Sequence, residues 1–414
     1  MSDKRSVCVL GLGYIGLPTA AVLASKGYKV LGIDVQQKVV DTINSGSAHI
    51  VEPDLSEAVQ LAIESRFLRA SVEIEPADVF IIAVPTPFRE GHVPNMDYVE
   101  AATSSVAKMV REGTLVILES TSPPGSTERV RATLVENNQD LVGVDFHVAH
   151  CPERVLPGHI LEELISNDRI VGGVDAESTK VAADFYREFV DGSVLETHCR
   201  TAELAKLAEN TFRDVNIALA NEISSICDVA DVDVWELIRL ANRHPRVNIL
   251  QPGPGVGGHC IAVDPWFLVD FAPQIAEITR TAREVNDRRP QYYVNRIKAE
   301  IAELSARTVA LLGLAYKANI DDVRESPALQ ISELLAEIDM PGVKYLVVEP
   351  NLKELPESLR GKSMLLCDLD ESLEQADLIV CLVDHDEFRQ VELSKIEYKR
   401  VIDSRGILSR SQQH

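Results

Sequence analysis

Positive charge is what this chain is short of. Its 414 residues carry 41 lysines and arginines against 64 aspartates and glutamates, a net charge of −23. That deficit argues against general binding to nucleic acid or to an anionic membrane, both of which need a basic face. It leaves room for an anionic small substrate, which a few local arginines and backbone amides can hold. Long apolar runs are missing as well, and no stretch reaches the about 18 residues of a membrane span. Met1-Ser2-Asp3-Lys4-Arg5 leads straight into a strand pattern and lacks the small-residue cleavage site of a signal peptide. The seven cysteines are odd in number and include no Cys-x-x-Cys pair. This argues against a zinc ribbon or a disulfide framework and fits a reducing cytoplasm. His147-x-x-His150-Cys151 comes nearest to a metal motif, but it reads as the end of a buried strand, and no metal is expected. Low-complexity segments and short repeats are also lacking.

What is present is a succession of short apolar runs. Ser6–Leu10 ends in Gly11, an apolar helical stretch covers Leu17–Ala24 with Gly27 as its C-cap, and Lys29–Asp34 is the next strand. This is a strand, glycine turn, helix and strand. Val79–Val84, Leu115–Leu118, Phe146–His150 and Ile170–Gly173 continue the series. Apolar runs separated by helices predict a parallel sheet covered on both faces. From Thr201 to about Val229 the apolar residues recur at threes and fours, which predicts one long helix. A second is expected from about Ala276 to Glu303, bent or interrupted near Pro290. Val309–Leu314, Tyr345–Val348, Leu378–Val383 and Val401–Asp403 return to strands. The expected class is α/β, with two Rossmann-like domains joined by a central long-helix domain, bounded at 1–198, 199–304 and 305–414.

Gly11-Leu12-Gly13-Tyr14-Ile15-Gly16 follows the first strand and opens the first helix in the G-x-G-x-x-G pattern. The first glycine permits the tight turn, the second lets backbone meet pyrophosphate, and the third lets helix and strand pack closely. Asp34 stands at the end of the next strand, roughly 20 residues on, where an acid binds a ribose 2′-hydroxyl and repels a 2′-phosphate. NAD is therefore the expected cofactor. Pro85 and Thr86, just past the Val79–Val84 run, and Thr121 are expected to line the same crevice.

Cys260 lies in a second glycine-rich segment, Gly255-Val-Gly-Gly-His-Cys-Ile-Ala-Val-Asp264, with a carboxylate four residues on. A thiol there can be a nucleophile, and together with a hydride acceptor it suggests oxidation through a thiohemiacetal and a thioester. Lys206 and Asn210 are four apart on one helix face. Glu119-Ser-Thr-Ser-Pro-Pro-Gly-Ser-Thr127 and Cys151-Pro-Glu-Arg-Val-Leu-Pro-Gly158 each follow a strand end, where sheet enzymes place ligands.

In their order along the chain these segments resemble the UDP-glucose/GDP-mannose dehydrogenase family. The strings around Cys151–Gly158, Ala241–Phe267 and Arg280–Asp287 look like the branch that acts on UDP-N-acetyl-D-mannosamine. The resemblance implies NAD-dependent oxidation of the sugar C6 hydroxyl to the uronate in two steps and four electrons. It further implies Cys260 as nucleophile, Lys206 and Asn210 as the pair that steadies oxyanions, and Asp264 as the carboxylate that handles the proton or the hydrolytic water. Glu153 matches the first glutamate of the Pro-Glu loop, and Thr121 the threonine that orients water. Substrate contacts fall on Glu153, Arg154, Val155, Lys206, Asn210, Gly257, Lys317 and Arg246, the last reaching a neighbouring subunit's substrate. Lys317 would meet the UDP part and Arg324 the NAD side, while Trp266 is expected in the core. Glucose-type members have a second glutamate where this chain has Pro157 and a lysine where it has Val263, which leaves the first-step base unassigned. A sibling acting on UDP-N-acetylglucosamine or UDP-glucose, and a non-catalytic nucleotide-binding protein, are the alternatives. The breadth of apolar surface on the long helix from Thr201 predicts a homodimer packed about a two-fold axis.

Overall fold

The computed structural model describes residues 4–258, 260–338 and 340–408, so His259 of the glycine-rich segment lies outside the described residues. By compactness the chain divides into Met1–Glu209 and Asn210–His414. The first unit runs β1 (Ser6–Leu10), α1 (Gly16–Ser25), β2 (Lys29–Ile33), α2 (Gln37–Asn44), α3 (Leu55–Glu64), β3 (Leu68–Ser71) and β4 (Val79–Ile82). It continues with α4 (Asp97–Ala107), β5 (Leu115–Leu118), α5 (Ser126–Asn137), β6 (His147–His150), α6 (Ile160–Ser166), β7 (Arg169–Gly173), α7 (Ala176–Arg187) and β8 (Val194–His198). The helix α8 (Cys199–Ala230) starts in this unit and continues into the second.

The eight strands form one sheet in the order β3-β2-β1-β4-β5-β6-β7-β8. β1, β4 and β5 are apolar at consecutive positions because both sheet faces are covered. Val7 and Val9 enter the core on one face and Cys8 and Leu10 the core on the other. The order reverses between β1 and β4, both of which pair with their neighbours in parallel. The sheet is not wholly parallel as the apolar runs suggest: β7 is antiparallel to β6. β3 and β8 went unread in the sequence because both are edge strands, and Arg69, Glu196 and His198 break their apolar pattern.

In the second unit come α9 (Val234–Ala241), α10 (Asp264–Phe271), α11 (Glu277–Leu304), β9 (Thr308–Leu312), α12 (Pro327–Ile338) and β10 (Lys344–Val348). After them stand β11 (Met364–Leu366), α13 (Leu369–Gln375), β12 (Leu378–Cys381), α14 (Asp386–Arg389) and β13 (Arg400–Asp403). The sheet order β11-β10-β9-β12-β13 repeats that of β3-β2-β1-β4-β5. Pro290 does not interrupt α11, which is a single helix through it. A proline has no N–H to give the carbonyl four residues earlier, here that of Asn286. The bared side of Asn286 faces Gly255, where an added Cβ would lie 3.4 Å from the Asn286 oxygen.

A buried polar network joins α8 to α11 in this unit. Arg283 Nη1 donates to Asp214 Oδ1 at 2.6 Å, and Asn286 Nδ2 donates to the same oxygen at 2.8 Å. Asn221 Nδ2 donates to Asn286 Oδ1 at 2.9 Å, while Asn221 Oδ1 accepts the Gly253 N–H at 2.8 Å. Arg289 Nε donates to the Gly253 carbonyl at 3.2 Å. The chain leading into the glycine-rich segment is thus held on both its polar atoms. Arg283→Ala strands the wholly buried Asp214 carboxylate. We expect it to cost about 3–5 kcal/mol of stability, read from the urea unfolding midpoint.

Candidate active site

The crevice in the first unit is built where the strand order reverses, at the carboxyl ends of the parallel strands. Gly11 has φ 88°, and a Cβ there would sit 2.6 Å from the Ala83 oxygen. A Cβ on Gly16 would lie 1.8 Å from the Gly11 oxygen. Both glycines are therefore required by backbone packing. Gly13 differs, because a Cβ there would meet nothing within 4 Å. Its backbone borders open space in front of α1, at the positive end of that helix. Asp34 is drawn to the rim by two amides: Oδ2 accepts the Leu12 N–H at 3.2 Å and Oδ1 accepts the Gln36 N–H at 2.9 Å. An ionised carboxylate has further lone pairs for a ligand's hydroxyls. Tyr14 and Ile15 are half-buried in the turn itself. Pro85 and Thr86 follow β4 and Thr121 follows β5, and Ser120 ties these two loops by donating to the Val84 carbonyl at 2.7 Å. This open turn at a helix N-terminus has room for a dinucleotide pyrophosphate, with the Asp34 carboxylate at its rim.

The loop after β6 carries Glu153, which is buried beneath the surface of the loop. Its Oε2 accepts from Arg169 Nη1 at 2.5 Å and its Oε1 from the Arg154 N–H at 2.6 Å. Glu52 pins the far end of the loop, accepting the N–H of Gly158 at 2.9 Å and of Ile160 at 2.8 Å. Arg154 is turned to Glu209 on α8, at 2.7 Å, and to the Asp168 carbonyl, at 3.2 Å. Val155 is half-buried beside it. Glu203, also on α8, caps α5 by accepting the N–H of Gly125 at 2.6 Å and of Thr127 at 2.7 Å. Lys206 lies one turn further along, half-buried. Burial first, and the Lys206 charge after it, hold the His150 imidazole down at about 3, so this ring is neutral.

Reasoning from the sequence passed over the buried charged neighbours of Glu153. Arg169 opens β7, and Glu119 directly continues the wholly apolar β5, which was the signal for a buried carboxyl. The two histidines of the His147-x-x-His150 pattern are three apart on a strand and so point to opposite faces. Glu128, His198 and Cys199 bring their ligand atoms within 4.8 Å of one another. Arg200 already donates to Glu128 Oε2 at 2.7 Å and, through its N–H, to His198 Nδ1 at 3.3 Å.

The second unit holds the thiol. Of the seven cysteines, none is in a disulfide and Cys260 is the exposed one. Burial pushes Cys8, Cys151 and Cys199 up to about 12 and Cys367 up to about 11, and raises Cys227 and Cys381. The Cys260 carbonyl accepts the Val263 N–H at 3.0 Å and the Asp264 N–H at 2.8 Å, starting the turn into α10. Asp264 is buried in the first turn of α10, and its Oδ2 accepts from Asn210 Nδ2 at 2.5 Å. The glycines before Cys260 allow contact with the segment after β9. A Cβ on Gly257 would lie 2.5 Å from the Glu325 oxygen, and one on Gly258, with φ 81°, 3.0 Å from the Tyr316 ring. Lys317 and Arg324 belong to that segment, and Arg324 reaches back to Asp322 at 2.7 Å. Trp266 is half-buried on α10, and Arg246 is exposed in the turn before the glycine-rich segment.

The comparisons cover almost the whole chain. The NAD binding domain of the UDP-glucose/GDP-mannose dehydrogenase family matches residues 5–190, its central domain residues 200–288 and its UDP binding domain residues 310–410. A Ralstonia solanacearum protein named NDP-N-acetyl-D-galactosaminuronic acid dehydrogenase is 53% identical over 98% of this chain and 97% of its own. An Escherichia coli (strain K12) protein named UDP-N-acetyl-D-mannosamine dehydrogenase is 52% identical over 97% of this chain and 99% of its own. The solved structure of a UDP-D-ManNAc dehydrogenase from Pyrococcus horikoshii superposes with TM-score 0.89 at 41% identity, over 98% of this chain and 96% of that one. With its NAD-binding and UDP-binding domains in the family's order, the chain belongs to the UDP-glucose/GDP-mannose dehydrogenase family.

Proposed function

We propose that this dehydrogenase oxidises the C6 hydroxyl of UDP-N-acetyl-D-mannosamine to the carboxylate, with Cys260 holding the sugar carbon between the two oxidations. The observation that carries this is the exposed Cys260 thiol on a close-packed glycine segment, beside the Asn210–Asp264 pair. Two NAD molecules, bound in turn, would each accept one hydride, four electrons in all. The chain's own groups do the rest. Cys260 adds as thiolate to the C6 aldehyde, forming a thiohemiacetal, and after the second oxidation it holds the carbon as a thioester. Lys206 and Asn210 donate to the C6 oxygen while negative charge develops on it, an interaction stronger in the transition state than before it. Water then adds to the thioester carbon as Asp264 takes one of its protons, the C–S bond breaks to release the thiolate, and the carboxylic acid formed gives its remaining proton to solvent. Thr121 orients that water and Glu153 borders the sugar. Arg154 and Val155 line the substrate's approach, and Lys317 and Arg324 act on the UDP and NAD sides.

Pro157 and Val263 stand where glucose-type members carry glutamate and lysine, which favours an N-acetylated sugar over UDP-glucose. The name of the Ralstonia relative supports a second reading, in which the substrate carries N-acetyl-D-galactosamine, which differs from the mannosamine sugar at both C2 and C4. NADH formation from a panel of UDP-sugars separates the two, and turnover of UDP-glucose alone overturns both. Seven unbridged cysteines suit a reducing compartment, so we assign the reaction to the cytoplasm.

A homodimer through α8 is part of the proposal. Phe212, Leu219 and Ile226 are seven residues apart, and they are 71%, 47% and 59% exposed. An apolar seam at this spacing is what a second helix covers. Arg246, exposed in its turn, would then serve the partner's sugar nucleotide.

Three outcomes follow from these roles. Cys260→Ser should stop carboxylate formation and leave NAD affinity unchanged by calorimetry; near-normal turnover would remove the thioester. Asp34→Ala should weaken NAD binding by about 1.5–3 kcal/mol, the worth of hydrogen bonds to a charged group, and narrow the preference against NADP. Phe212→Glu should shift the protein toward monomer in light scattering, and an unchanged dimer would place the interface elsewhere.

A further inference from the structure

Beneath the loop that carries Glu153, the first unit buries two carboxyl groups and one guanidinium. Glu119, Glu153 and Arg169 are 2%, 7% and 2% exposed. Arg169 Nη1 donates to Glu153 Oε2 at 2.5 Å and its Nη2 to the Leu164 carbonyl at 2.9 Å. Glu119 receives far less. Its Oε2 has the Thr19 hydroxyl of α1 at 3.5 Å, and its Oε1 is buried with no partner. The other titratable groups facing it are Cys151 after β6 and Tyr186 on α7. Burial pushes the Cys151 thiol up to about 12 and raises the Tyr186 phenol far above its usual value, so both are neutral. One cation faces two carboxyls in a water-poor core; its hydrogen bond to a carboxyl goes to Glu153, and its Nε is buried with no partner.

We propose that Glu119 carries a proton at neutral pH and is a positioning residue for Glu153, leaving the whole charge of Arg169 to hold the Glu153 carboxylate in one place. An ionised Glu119 would set two carboxylates against one guanidinium and loosen that hold. This rests on the assignment of Glu153 to the substrate site. The chemistry of the cluster supports it: burial, then the Glu153 charge, raises the Glu119 carboxyl to about 8. In the unfolded chain Glu119 ionises in the ordinary carboxyl range near 4. The folded state thus holds an extra proton between that range and about 8. Through this group, stability falls as pH rises across that window and levels off above it.

The test uses the full-length protein in two ways. Infrared difference spectroscopy on the ligand-free protein should show a protonated carboxyl carbonyl band at about pH 7 that is lost by about pH 10 and is absent from Glu119→Gln. No such band in the wild type overturns the proposal, whatever the substrate proves to be. In turnover, Glu119→Gln, which mimics the protonated acid, should stay within about twofold of wild type at pH 7, while Glu119→Ala falls about tenfold or more. The alkaline decline of kcat in the wild type should be missing from Glu119→Gln. A decline unchanged in Glu119→Gln, or a glutamine variant as damaged as the alanine one, also overturns it. If no UDP-sugar is turned over by the wild type, the proposed function fails, and the infrared band still decides the state of Glu119.

Discussion

A guanidinium removed from water costs several kcal/mol unless its donors are met, and this chain buries Arg169, Arg283 and Arg289 almost completely. Each one is answered by groups of its own unit. Arg169 meets Glu153 in the loop after β6. Arg283 meets Asp214, one turn along α8 from Asn210. Arg289 meets the Gly253 carbonyl, the Asn221 carbonyl and the Ser225 hydroxyl. The pairs cannot be broken singly without leaving a buried charge, so the loops they hold are held firmly. A pre-set loop is what the proposed oxidation through Cys260 would need, because the same thiol would have to meet the carbon in both steps.

The second constraint is the absence of side chains where backbone meets backbone or ring. Gly11 lets the turn after β1 lie against Ala83, Gly16 brings the start of α1 against Gly11, and Gly257 and Gly258 let the thiol segment lie against Tyr316 and Glu325. Gly13 alone of the fingerprint opens onto empty space. Within one motif, then, two glycines are required by backbone packing and one leaves open space in front of α1.

The two sheets share a strand order but treat their first turns differently. After β1, Asp34 accepts one turn amide and keeps capacity for a ribose. After β9, Glu349 Oε2 takes the amides of both Leu314 and Ala315, at 2.7 and 3.0 Å, and His385 Nε2 lies 3.1 Å from the same oxygen. The donors that would meet a phosphate at the second turn are already used. The same topology therefore hosts a dinucleotide in the first domain and leaves the second to the UDP-binding role of its family.

The sequence by itself determined the α/β class, the fingerprint from Gly11 to Gly16 with Asp34, and the thiol segment ending at Cys260 and Asp264. These are local: strand periodicity, turn chemistry and motif spacing act over a few residues. It also marked a bend or interruption near Pro290, and α11 runs through that proline as one helix. The edge strands β3 and β8 were hidden because polar residues break their apolar pattern, and the reversal of β7 because an apolar run marks a strand but not its direction. Only the tertiary structure decided which buried charge meets which. Glu119 and Glu153 are alike as residues, and Arg169 lies sixteen positions beyond the nearer one. What separates the ion-paired carboxylate from the isolated carboxyl is how α1, α7 and three strand ends close around them, a difference of burial and distance that no residue carries alone.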